Sequence, residues 1–298
     1  MFITADKLLD GRCDPMAMWH VISFYWEDFA PHLEVFDFRE KELLELKLES
    51  LSFVASEEKY CVGYFRGSEY LPCPTASRVS AFSQCPSCAS SWIPYQECLF
   101  EPKCDGGLCS IDFCRRPHVV YAAAIRESIK IGMTGETRLK ERGIEQGADA
   151  ILPLATCRNR LEARNLEKKI SSMLRLPQAP SSSDISKFFM KPPSKNRIAD
   201  LLASVRYRTS RFLRKVDGEI LFLDEYPVKQ YLDKPVNLKP CYGEHVGEVI
   251  GIKGRYLLYE SESQKKYVII NVSDLLGRYL YSALENDKKE HKDLEGVL

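Results

Sequence analysis

Eight cysteines crowd residues 61–114, at Cys61, Cys73, Cys85, Cys88, Cys98, Cys104, Cys109 and Cys114, whereas only Cys13, Cys157 and Cys241 serve the rest of the 298 residues. Pro72, Pro74, Pro86, Pro102, Gly106 and Gly107 interrupt the same stretch, so it reads as loops that packing alone would not hold. Thiolates are strong ligands of Zn2+, and four of them close a tetrahedron that staples such loops. Eight make two sets, which predicts about two structural Zn2+ ions per chain. The two-residue spacer in Cys85-Pro86-Ser87-Cys88 lets both sulfurs turn to one ion, with Cys61 and Cys73 completing that set. Cys98, Cys104, Cys109 and Cys114 form the second. Spacing leaves open interleaved pairings, His118 as a ligand, and an iron–sulfur cluster, which uses the same thiolates. Cys13, Cys157 and Cys241 read as free buried thiols.

A chain of this length, 45% hydrophobic and 28% charged, can bury a core spread over two or three domains. Its apolar runs fall short of the roughly 18 residues that span a bilayer, and residues 1–10 lack the pattern of a secretory signal. The expectation is a cytoplasmic protein with no membrane partner, where thiols stay reduced and clustered cysteines bind metal rather than form disulfides. Net charge is zero, yet residues 155–215 carry fifteen Lys and Arg against four acids. Residues 27–58 carry ten acids against three bases. That asymmetry fits either a localised phosphate-binding face or two solvated faces of opposite charge.

The expected class is α+β and multidomain. Leu44, Leu46 and Leu48 alternate with Glu45, Lys47 and Glu49, and Leu33-Glu34-Val35-Phe36-Asp37-Phe38 is a second strand, so residues 1–60 form an N-terminal β region. Residues 61–117 are the cysteine-rich module. In residues 118–176, two β-prone runs around Arg126-Glu127-Ser128 pair as a hairpin, and 136–146 is a helix with Leu139, Gly143 and Gly147 on one side and Arg138 and Arg142 on another. Residues 150–155 give a third strand. Asn159 with Glu162 opens a long helix buried along Leu166, Ile170, Met173 and Leu174. Residues 177–195, rich in Pro and Ser, read as a linker, 198–215 as a basic helix, and 216–298 as a small C-terminal β domain with a charged tail from Glu285.

On these residues two resemblances stand out. The order of Tyr121, Lys130-Ile131-Gly132, Arg138 and Glu167 on strand, strand, helix and later helix resembles the GIY-YIG nuclease domain over residues 118–175. The whole chain resembles domain-of-unknown-function family 2797, a prokaryotic zinc-cysteine family. That likeness rests on Glu101-Pro102-Lys103-Cys104, Pro117-His118, Lys130-Ile131-Gly132-Met133-Thr134, Glu145-Gln146-Gly147-Ala148 and Gly251-Ile252-Lys253-Gly254. The nuclease likeness implies a Mg2+-dependent endonuclease: Tyr121 helps take a proton from water, Arg138 faces the phosphate, and Glu167 holds Mg2+, with Glu162 in reserve. Val119-Val120 replaces the Gly-Ile of the pattern and Lys130 its second tyrosine, leaving a lysine that can contact phosphate. Taken singly, Tyr121 reads as a core aromatic, and Arg138 and Glu167 as members of surface ion pairs.

Arg142, Arg158, Arg160, Arg164 and Lys168, followed by Arg206, Arg208 and Arg211 with Tyr207 interleaved, supply cations for phosphates and an aromatic face for unpaired bases. The expected partner is DNA or RNA. The alternative is a non-catalytic nucleic-acid or protein-binding scaffold on a degenerate GIY-YIG fold.

Overall fold

The computed structural model describes residues 18–89, 98, 101–102, 104, 111–176, 182–211, 213 and 218–283. Cys13, Cys109, Phe212, Arg214, Lys215, residues 177–181 and the tail from Glu285 lie outside them. The chain opens with an antiparallel meander, β1 (Trp19–Glu27), β2 (Ala30–Asp37) and β3 (Glu42–Leu46), followed by β4 (Ser50–Ala55), and apolar alternation turns Leu33, Val35, Leu51 and Phe53 inward. Next come four strands of two or three residues that pair as two ribbons, β5 (Lys59–Tyr60) with β8 (Arg78–Val79) and β6 (Tyr64–Arg66) with β7 (Glu69–Leu71), then the one-turn α1 (Asp112–Arg115).

The central unit begins with the expected hairpin, β9 (His118–Ile125) and β10 (Ser128–Gly135), in continuous antiparallel register with Gly132 opposite Tyr121. A 3-10 turn, Glu136–Arg138, leads into α2 (Leu139–Gln146). Then follow β11 (Ala150–Cys157) and α3 (Arg160–Leu174), capped by the Asn159 side chain, which accepts from the Glu162 N–H. Of the stripe expected on α3, Ile170 and Leu174 are buried and Leu166 partly so, while Met173 faces outward and Ala163 is buried in the same cluster. The expected linker is partly a packed element: α4 (Ser182–Ser186) delivers Phe188 and Phe189 into the core at 1% exposure each. The basic helix is α5 (Lys195–Thr209), capped by Ser194. After β12 (Leu221–Phe222) and β13 (Leu238–Lys239) the chain ends in β14 (Gly243–Lys253), β15 (Tyr256–Ser261), β16 (Lys266–Asn271) and β17 (Tyr279–Ser282).

Two sheets carry the fold. The smaller has the order β10-β9-β11-β12 and the larger β13-β16-β15-β14-β4-β17-β1-β2-β3. The strands expected in separate N- and C-terminal domains thus share one sheet: β4 is flanked by β14 and β17, and β17 also pairs with β1. Both edges of β4 need hydrogen-bond partners, and its own neighbours in sequence do not supply them. Side chains alternate across the small sheet. Val120, Ala122 and Ala124 pack under α3 and α5, whereas Tyr121, Ala123 and Ile125 face α2 and join the core of the large sheet. The whole is α+β, with α2 sandwiched between the sheets.

Candidate metal centre and nucleic-acid interface

Cys61, Cys73, Cys85 and Cys88 bring their four sulfurs within 4.8 Å of one another, and Cys73 Sγ lies 3.9 Å from Cys85 Sγ. Four sulfurs at about 2.3 Å from one ion stand roughly 3.8 Å apart, so this spacing is that of a tetrahedral thiolate site. Backbone geometry supports it, since the Cys85 N–H donates to Cys61 Sγ over 3.2 Å and the Cys88 N–H closes a turn on the Cys85 carbonyl. Burial pushes the Cys61 thiol up to about 11 and raises Cys88 as well. At Cys73 burial works the same way but loses to hydrogen bonds from Thr75 and Ser77, which bring it to about 6. The four can hold a metal ion such as zinc. Cys98 and Cys114 are buried and Cys104 half-buried, and among the described residues they do not gather into a second group.

A cleft of about 490 Å3 runs along β10, the edge of the small sheet. One wall is Arg138, at the end of the 3-10 turn, with Arg142 and Gln146 of α2, and the other is the α3 stripe Arg160, Arg164 and Glu167. Spacings of three and four place each set on one helical face. Lys130, Gly132 and Thr134 form the floor, and Phe113 and His118 close one end. Five cations and one carboxylate thus face one hollow. Glu145 pairs with Arg138 at 2.5 Å and with Arg142 at 2.8 Å, and Glu167 Oε2 lies 2.8 Å from Arg164 Nη1. Lys130 has no ion-pair partner among the described residues, and burial, then Arg142 and Arg255, hold its pKa below the usual lysine range. Arg160 is buried with its guanidinium 5.5 Å from the Phe113 ring.

The family described as "Protein of unknown function (DUF2797)" matches residues 49–280. The chain belongs to that family. Neither a curated protein nor a solved structure gives a match.

In this DUF2797 chain Lys130, Arg138 and Glu167 share the cleft, as do Arg142, Arg160 and Arg164. Tyr121 does not open onto it. It is fully buried beneath Gly132, its hydroxyl accepts from Gln146 Nε2 over 2.8 Å, and burial pushes it up to about 12. Gly132, Arg142 and Gln146, which line the cleft, stand between its hydroxyl and the hollow. Arg158 stands outside, exposed and paired with Glu162 at 2.6 Å, and Lys168 pairs with Glu101 at 2.5 Å. Arg206, Arg208 and Arg211 are exposed on or just past α5 and do not line the cleft. The sequence reading named Gln146 and His118 only as motif residues, and His118 as a possible metal ligand, without placing either in a cleft, and it missed Phe113.

The donor set decides what the cleft accepts. Mg2+ can take most of its ligands from water and phosphate, but at Glu167 it would share the one carboxylate with Arg164 and face four further cations. The residues present therefore fit an anion and do not fit resident Mg2+.

Gly132 is the hinge point of this arrangement, because a Cβ there would come within 2.6 Å of the Tyr121 hydroxyl. The ring is fully buried, so it or its neighbours must shift to admit the methyl. Gly132→Ala should cost about 1–3 kcal/mol, the usual range for overpacking a filled core, read as a lower urea midpoint. An unchanged midpoint would show that Tyr121 is not fixed there.

Proposed function

We propose that this protein binds nucleic acid through the β10 cleft, on a GIY-YIG-like unit that does not cut, and that zinc held by Cys61, Cys73, Cys85 and Cys88 stabilises the neighbouring module. The observation that carries the reading is the convergence of Lys130, Arg138, Arg142, Arg160 and Arg164 on one hollow containing the single acid Glu167. Phosphate oxygens are the ligand that such donors satisfy, since each cation displaces a counterion from the backbone and Arg offers paired N–H groups. Against cleavage stand the sealed Tyr121 and the poor fit of Mg2+.

The test is retention and cutting of labelled single-stranded, duplex and branched DNA and of RNA, with Mg2+ or with EDTA. The expected outcome is retention without cuts in both buffers. Affinity should fall as salt rises with a log–log slope of roughly −3 for single strands, the value for four to five phosphate contacts. Arg142→Gln should flatten that slope by about one contact. A flat salt response would sink the binding reading, and Mg2+-dependent cuts lost in Glu167→Gln would make the protein an endonuclease instead.

A further inference from the structure

Glu101 belongs to the Glu101-Pro102-Lys103-Cys104 motif of the cysteine-rich module, far in sequence from α3 and with no part in the quartet of thiols. Its carboxylate nevertheless lies on the α3 wall. Oε2 accepts from Arg164 Nε at 3.0 Å and Oε1 from Lys168 Nζ at 2.5 Å. Arg164 is thereby held between two acids, with Glu167 on its Nη1 at 2.8 Å. Burial works against ionisation of Glu101, but hydrogen bonds from Lys168 and Arg164 win and keep its carboxyl below the usual range. The group is a permanent anion at neutral pH, yet its side chain is 36% exposed and that of Lys168 45%, so solvent and solutes reach the pair.

We infer that Arg164 and Lys168 form a phosphodiester subsite on the rim of the cleft, and that in the free protein Glu101 occupies it as an internal competitor. The inference rests on the nucleic-acid reading above. Two carboxylate oxygens, one on a guanidinium Nε and one on an ammonium, reproduce the two non-bridging oxygens of a backbone phosphate and use the same charge-assisted donors. A strand entering the cleft must take Arg164 and Lys168 from Glu101, which then turns to water. Binding is weaker than the cations alone would give, and the contact ties the cysteine-rich module to the free state. An exposed acid that merely offsets net charge would act from anywhere on the surface. A competitor acts only from this position.

The experiment compares wild type, Glu101→Gln and Glu162→Gln by fluorescence anisotropy of a labelled single-stranded DNA and an RNA of the same sequence, across a salt series. Both variants remove one negative charge, but Glu162 pairs with exposed Arg158 away from the cleft. Glu101→Gln should tighten binding about 3- to 10-fold at low salt and steepen the log–log salt slope by roughly one contact. Glu162→Gln should change affinity less than about 2-fold, in keeping with a screened surface pair. If wild type binds but Glu101→Gln binds no better than Glu162→Gln, the competitor is disproved and the binding reading stands. If no form binds either strand, the reading fails and takes the subsite with it. Urea midpoints for all three forms separate a folding defect from a binding effect, and Glu101→Ala provides a second removal of the charge should the glutamine retain the hydrogen bonds.

Discussion

If the quartet holds zinc as proposed, replacing Cys85 with serine should remove one ion from each chain and unravel the module around residues 58–89, while the central unit stays folded. The size of the effect follows from what holds that module. Among the described residues its thiol cluster is Cys61, Cys85 and Cys88 with Tyr64, Cys73 and Val79 packed against them, its strands are two or three residues long, and its apolar anchors on the large sheet are Val62 and Tyr70 beside Phe36 and Tyr60 on Tyr279. Such short pairings do not persist on their own. A zinc ion held by the four thiolates would add a large share of the free energy of local folding, on the order of 10 kcal/mol for a structural zinc site at neutral pH. Metal analysis of protein purified without added ions should give at least one zinc per chain, reduced by one in the variant. Limited proteolysis should then cut within residues 58–89 first, and a chelator should do the same to wild type. A full zinc complement in Cys85→Ser would end the assignment of this quartet.

The second large effect lies at the joint between the sheets. Asp149, in the turn after α2, and Lys253, at the end of β14, pair at 2.5 Å with side chains only 8% and 4% exposed. Asp149 also accepts from the Arg126 backbone N–H, and the Lys253 ammonium sits 5.4 Å from both the Phe188 and Tyr226 rings. Asp149→Ala leaves a buried ammonium with no counter-charge. Removing one partner of a buried pair costs about 3–5 kcal/mol, because the remaining charge keeps its desolvation penalty and loses its compensation. Urea denaturation should show a loss of that size, and a loss under about 1 kcal/mol would mean that water reaches Lys253 in solution.

This joint also explains why the motifs around Gly147 and Gly254 go together. Both glycines have positive φ, and a Cβ on Gly254 would come within 2.5 Å of the Gly147 nitrogen. Trp26 Nε1 donates to the Gly254 carbonyl, and the Tyr226 hydroxyl donates to the Ala148 carbonyl. Neither glycine admits a side chain, both because of their left-handed backbone, Gly254 also because a Cβ would strike the Gly147 backbone and Gly147 because one would strike the Phe188 ring at 2.6 Å.

What could be read from the sequence was what short spacing or fixed order encodes. Cys85 and Cys88 announced a metal site because three residues bring two sulfurs to one side, and Cys61 and Cys73 were their nearest upstream thiols. The hairpin, α2, β11 and the Asn159 cap followed from period and punctuation. Lys130, Arg138 and Glu167 were joined by motif order, and they do face one hollow. The depth of Tyr121 was not legible, since alternation tells which face a strand residue takes but not how deeply the other layer covers it. Phe188 and Phe189 were masked by the Pro- and Ser-rich run beside them. Period-two patterns in the first and last sixty or so residues identified strands without identifying neighbours, because edge pairing leaves no mark in a single strand. Glu101 had the same problem, as ion pairs across 63 and 67 positions have no local signature.

The interleaving of β4 between β14 and β17 has a consequence for biosynthesis. On a ribosome, β1 to β4 emerge early but wait for nearly two hundred further residues before the strands that complete them exist. Their inner faces stay open throughout that interval, so the nascent chain needs shelter from aggregation, and sheet completion is a late event dominated by distant pairings. The hairpin and α3, by contrast, can close as soon as they leave the exit tunnel.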